Sequence, residues 1–210
     1  KIIFYVLVLV FTVLGVKMKK LLSKVSAIAA LGLVMNVAAP AFAAETYNVD
    51  PVHSSVVFKA KHFGVYNYGL FTDVAGVVVF DDKNVKNSSV DLTIKTDSVY
   101  TNVKKRDDHL KSPDFFNSKQ FPTITFKSKN VASKGTDTFE VTGDLNLHGV
   151  SKSVTASFTR VGKTKGMKGE TRSGGEAMFK IKRSDFGMGY LPQVVGDEIS
   201  LIVAIEGIMK

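Results

Sequence analysis

From Glu45 onward, apolar residues recur at every second position and turn residues interrupt the runs, which is the period of strands with one buried face. Val56, Phe58, Ala60 and His62 share one face of the first run, while Ser55, Val57, Lys59 and Lys61 take the other. Gly64 to Gly69 is expected to turn the chain. The second run is apolar on both faces, and the face of Val74, Gly76, Val78 and Phe80 is assigned inward. Val90, Leu92, Ile94 and Thr96 form a third strand, and Ile124 and Phe126 a fourth. Phe139 to Leu147 supplies a fifth, Val154 to Phe158 a sixth, Ala177 to Ile181 a seventh and Ile199 to Ile205 an eighth.

An all-β chain of eight strands is expected. Its buried faces need a second apolar layer, either as a sandwich of two sheets or as a barrel closed on itself, and periodicity does not choose. The connections are legible in the same way. His148-Gly149 suits a tight hairpin, and Lys163 to Gly175 reads as a mobile hairpin loop. In Arg183 to Gly187 a turn is expected, with Asp185 bonding nearby amides and Gly187 taking positive φ. Val103 to Phe121 lacks alternation; Arg106 to Leu110 there suits about one helical turn before Pro113, in a segment long enough to cap a barrel mouth.

The first 43 residues contain no acid and differ from all that follows. Met18-Lys19-Lys20, the apolar Ala27 to Val37 and Ala41-Phe42-Ala43 together make a secretory signal peptide over 18–43. Residues 1–17 read as an upstream extension, because their apolar run is short for a membrane span of roughly 20 residues. Residues 44–210 are then one domain in the periplasm, with no stable membrane insertion after cleavage.

Charge and composition narrow the function. Of 28 basic residues, Lys1, Lys17, Lys19, Lys20 and Lys24 fall in the leader, leaving 23 against 19 acidic, a net of +4. That is too mild to argue for nucleic acid as a partner. Cysteine is absent, so neither disulfides nor thiolate metal sites contribute. The four histidines, His53, His62, His109 and His148, lie in separate segments, so no metal and no cofactor are expected. No nucleophile elbow or phosphate-cradling loop occurs, and no catalytic residues are assigned.

The densest polar cluster is Arg106, Asp107 and His109. It can bind an anionic or carbonyl head group, or Asp107 can cap a short helix while Arg106 and His109 fasten the cap to the rim. Arg183 and His62 are further head-group or cap candidates. Fifteen Phe and six Tyr without Trp either fill an ordinary core or line a hollow one. The lumen candidates are Phe58, Phe71, Val78, Phe80, Leu92, Phe116, Phe126, Leu145, Phe158, Phe179, Phe186 and Leu201.

Several segments carry a resemblance. Tyr47 to Ser54 with Phe58, His62, Gly69 and Phe71 resembles the opening of YceI-like proteins. Arg106 to Phe116 with Phe121-Pro122, then Gly143 to Val150, Arg183 to Gly187 and Val195 to Glu198, is similar to that family's later motifs, in order. The resemblance implies a lipocalin-like eight-stranded antiparallel barrel with a short helical cap, usually periplasmic, whose lumen takes a polyisoprenoid chain.

The function expected is therefore a binding or carrier protein for a long-chain isoprenoid or fatty amphiphile, not an enzyme. The competing readings are an enzyme acting on the lipid head group and an adhesion or stress module with a filled core. A homodimer is left open. N-terminal sequencing of the exported protein should find Ala44 first; Lys1 or Met18 retained on a membrane-bound product would reject the leader assignment.

Overall fold

The computed structural model describes residues 44–210, so the expected leader and its cleavage site lie outside the described residues. Eleven strands follow: β1 (Glu45–Val49), β2 (Ser55–His62), β3 (Val65–Phe71), β4 (Val74–Phe80), β5 (Ser89–Lys95), β6 (Val99–Tyr100), β7 (Thr123–Ser133), β8 (Thr138–Leu147), β9 (Val150–Lys165), β10 (Thr171–Lys182) and β11 (Val195–Met209). Among the described residues one α-helix, α1 (Lys104–Leu110), stands between β6 and β7. No helix among the described residues is long and apolar enough to cross a membrane.

Every pairing is antiparallel, and the hydrogen-bonded order β1-β4-β5-β7-β8-β9-β10-β11 returns from β11 to β1. The result is a closed eight-stranded barrel. Three of its eight lanes are interrupted: β1 and β2 are separated by residues 50–54, β3 and β4 by Thr72-Asp73, and β5 and β6 by a 3-10 turn at Thr96–Ser98. Closure settles what periodicity left open between barrel and sandwich, because it leaves no long unpaired edge.

Register shows why the alternation is so regular. One row of directly paired residues, Phe71, Val56, Val203, Ala177, Phe158 and Phe139, crosses six strands, and every member faces inward. A slip of one residue in any strand would turn its apolar set to water.

Three expectations about connections are corrected. Val65 to Phe71 is strand, not turn, and the reversal is confined to Phe63-Gly64; Gly69 is needed for space against Phe58, not for a bend. The Lys163 to Gly175 loop is mostly ladder, with β9 reaching Lys165 and β10 starting at Thr171, because Thr171 to Gly174 pair with Lys165 to Gly162. In the turn after β10, Gly187 has φ 75° as expected, but it is Asp197 that accepts from the amide and hydroxyl of Ser184, taking the role expected of Asp185. The β8–β9 hairpin is as tight as expected, with His148 and Gly149 at φ 53° and 75°.

The barrel closes at a seam on β11. One edge of β11 pairs with β10; the other pairs first with β2 and then, beyond Glu206, with β1. Residues 50–54 loop out there, yet Glu206 keeps both backbone partners: Asp50 N–H donates to its carbonyl at 2.8 Å, and Ser54 Oγ accepts from its amide at 3.0 Å. The buried Asp50 carboxylate accepts from Val52 N–H at 3.0 Å and Arg172 Nη1 at 2.8 Å, and His53 Nδ1 lies 2.9 Å away. Arg172 also pairs with Glu206 and with Glu170.

The bonds from His53 and Arg172, with the Val52 amide, hold the Asp50 carboxyl down from 3.8 to about 2. A carboxyl whose folded pKa is depressed stabilises the fold above its unfolded pKa and loses that contribution as pH falls toward the folded one. Asp50→Asn should therefore be destabilised near neutral pH, and its deficit against the parent should shrink as pH falls from 3.8 to about 2. Equilibrium unfolding followed by circular dichroism across that range checks this.

Candidate ligand tunnel

Inward side chains should be the best buried in a filled barrel. Here Phe58, Val78, Phe126, Phe158, Phe179 and Leu201 pack against the core clusters and yet stay only partly buried. The missing neighbour is empty space. One continuous cavity of about 230 Å³ runs inside the strands, from Leu110, Phe115 and Met188 at the α1 end to Tyr47, Ser173 and Gly207 at the other. It exceeds an engineered apolar cavity of about 150 Å³ that stays dry and admits benzene. Along β11 it is bordered by Val195 and, farther on, by every second residue from Ile199 to Gly207. That is roughly 27 Å of strand and about 20 Å along the axis of a tilted eight-stranded barrel.

Glycines keep this space open. A Cβ on Gly69 would lie 2.2 Å from Phe58 Cζ, on Gly143 2.7 Å from Phe126 Cζ, and on Gly175 2.5 Å from Phe158 Cζ. At each position an aromatic ring occupies space that a side chain would otherwise take.

All twelve apolar positions named from the sequence border the cavity except Phe186. Its ring is 2 % exposed and packs in the core behind the wall, because the 3-10 turn Arg183–Phe186 swings it out of the strand's inward row. The α1 end is closed by rings. Phe116 meets Phe71 at 5.1 Å and Phe58 at 6.3 Å, both edge-on, and Leu110 and Phe115 complete the covering.

The polar candidates separate. Arg106, Asp107, His109 and His62 lie outside the cavity wall. Asp107 does not cap α1, which is two turns long and starts after Val103 without a side-chain cap. Its buried carboxylate instead accepts from the backbone and hydroxyl of Thr101. Arg106 donates from Nε to Thr101 Oγ1 at 2.8 Å, from Nη2 to Thr101 O at 2.8 Å and from Nη1 to Asn67 Oδ1 at 3.3 Å. These bonds fasten the cap to β3 and the β6 end. His109 is exposed, 2.9 Å from Asp114, with its ring edge-on to Phe115 and Tyr190; the ring of His62 meets Phe63 at 4.8 Å.

Arg183 does reach the wall. It is 4 % exposed and donates to the carbonyls of Met188 at 2.6 Å, Val195 at 2.9 Å and Gly196 at 3.2 Å. Burial lowers its pKa, with the Asp197 charge acting the other way.

The opposite end lies outside the candidates that alternation and charge density single out. Tyr47, Ser88, Arg160 and Ser173 border the cavity there. Arg160 was reachable by extending the inward series Val154, Ala156, Phe158 by one more step. Elsewhere, ligand-capable atoms of Asp50, His53 and Glu206 lie within 4.8 Å of one another. The Arg172 guanidinium bonds both carboxylates and already supplies the positive charge at that spot.

Closed antiparallel walls, a short helical cap and a hollow apolar interior define the class as a lipocalin-like barrel. The chain belongs to the YceI-like domain family, whose sequence model matches residues 47–207. It is 39% identical over 193 residues to a UPF0312 protein of Azotobacter vinelandii, covering 90% of this chain and 100% of that one. To Protein YceI of Escherichia coli it is 39% identical over 170 residues, 80% and 88% of the two chains. Among solved structures, BcnA of Burkholderia cenocepacia aligns with a TM-score of 0.68 at 27% identity, over 75% of this chain and 98% of that one. A polyisoprenoid binding domain from Saccharophagus degradans shares the fold at 16% identity, with a TM-score of 0.59 over 78% and 98%.

Arg106→Ala should lower stability by about 1–3 kcal/mol, the range for hydrogen bonds to a charged group lost from a partly buried site. Because the residue does not touch the cavity, chemical unfolding should report the loss while a crystal structure of the variant shows the tunnel unchanged.

Proposed function

We propose that this protein binds a long-chain isoprenoid or similar amphiphile in the barrel lumen, as a periplasmic binding or carrier protein. The carrying observation is the continuous apolar tunnel, long and narrow where a filled core would be expected. Its chemistry suits a flexible hydrocarbon chain: each Å² of apolar surface removed from water is worth roughly 25 cal/mol before association costs are subtracted. The polyisoprenoid binding domain of Saccharophagus degradans has the same fold, which supports the ligand class. The basic, apolar and A-x-A segments of residues 18–43 support export. Among the wall residues, Arg183 and Arg160 have their donors on protein acceptors, and the His109–Asp114 pair stands outside the lumen, which favours binding over catalysis.

Native mass spectrometry of protein purified from the periplasm, with extraction of the bound lipid, tests the reading directly. A lumen that never carries a chain would reject it. Two variants locate the chain. Val78→Trp should weaken every long-chain ligand whatever its head, by removing space. Gly69→Ala should do the same by a smaller amount, because the atoms nearest the new methyl are side chains, led by the Phe58 ring, which also borders the lumen. Adding Phe58→Leu to Gly69→Ala should restore binding, and competition titrations with a fluorescent fatty probe give the comparison.

A further inference from the structure

The two ends of the tunnel are closed by different means. At the α1 end the covering is a packed aromatic cluster, and the one charged residue on the wall, Arg183, is tied to three backbone carbonyls. Opening that end would break apolar packing and strand a buried cation. At the other end ion pairs reach between lanes of the barrel, with Arg160 on the cavity wall and its partners, Lys163 and Glu45 off it. Arg160 leaves β9, lies 4.8 Å over the Phe80 ring, and bonds Asp82 beyond β4 at 2.8 Å and Asp137 in the β7–β8 turn at 2.9 Å. Lys163, also on β9, pairs with Glu45 on β1, whose second oxygen accepts from Tyr47 Oη at 2.6 Å.

Asp82 is 57% exposed, Asp137 50% and Lys163 41%. Arg160 is 22% exposed and Glu45 31%, but the partner of each faces water, which weakens the pair. Parting these pairs hands the charges back to water, whereas removing Phe116 from Phe58 and Phe71 would expose apolar surface that water solvates poorly. Apart from Arg183, the polar side chains of the wall gather here: Tyr47, Ser88, Arg160 and Ser173 border the cavity at this mouth. The closing side chains comprise two cations and three carboxylates, each directly paired, so the mouth offers no surplus positive charge to a phosphate.

Resting on the lipid-binding reading above, we propose that the Arg160–Lys163 mouth is where ligand enters, tail first, and where an uncharged, hydrogen-bonding head group stays. The head lies beside Tyr47, Ser88 and Ser173, at the end opposite α1. The ion pairs part to admit the chain and reform behind it, so the same mouth serves as door and head-group site.

The test uses an isoprenoid alcohol carrying a photoreactive diazirine at its hydroxyl end, and the unlabelled alcohol and its monophosphate at equal chain length. Cross-links mapped by mass spectrometry should fall on Tyr47, Ser88, Ser173 or their neighbours. The alcohol should bind more tightly than the monophosphate. Arg160→Gln should speed ligand exchange several-fold, and added salt should speed exchange in the unaltered protein by screening the same pairs. Salt dependence stands as the second measurement if the variant fails to fold. Cross-links on Leu110, Phe116 or Met188, tighter binding of the monophosphate, or exchange indifferent to both salt and Arg160→Gln would overturn this assignment while leaving lipid binding intact. Failure of both compounds to bind would instead remove the lipid-binding reading, and this one with it.

Discussion

The hollow interior depends on the backbone ladder closing on itself. An open sheet with this much inward apolar surface would collapse onto a second layer and fill the space. In a closed ring each strand is held by hydrogen bonds on both sides, so the wall keeps its curvature without side chains packed across the axis. The seam at Glu206 is the critical point of that ring, because there β11 passes from one partner strand to the next. Asp50, Ser54 and Arg172 satisfy the polar groups exposed by the change of partner.

Period-2 patterning carried most of the architecture to the surface of the sequence. Eight lanes, their inward faces and the tight β8–β9 hairpin could all be read, because a one-sided strand must alternate. What was hidden involved glycine and distance. Gly69 looks like a turn residue, and only the position of the Phe58 ring reveals that it makes room within a strand. The breaks at 50–54 and Thr72-Asp73 split lanes that are continuous in space, so β1 and β3 left weak signals.

The site divides along the same line. Inward apolar residues were legible from alternation, whereas Phe186 was not, since a 3-10 turn removes it from the strand's period. The polar cluster Arg106, Asp107 and His109 attracted attention by density, and density in sequence proved to reflect how a helix is bolted to Thr101 and Asn67. Arg160 stood alone in its segment, and its partners Asp82 and Asp137 are 78 and 23 residues away. Nothing local marks such a meeting.

The seam has a consequence for how the molecule comes into being. Its closing contacts join Tyr47, Asn48 and Val49 to Met209, Ile208 and Gly207, almost the greatest separation the domain allows. Contacts between such distant segments form late and slowly, because the intervening chain must be ordered first. A chain threaded amino end first through a membrane could pair β1 with β4 early, but could not close the ring until its last strand emerged. The ring would therefore stay open throughout passage, and the empty lumen would exist only once the whole domain had arrived on the far side.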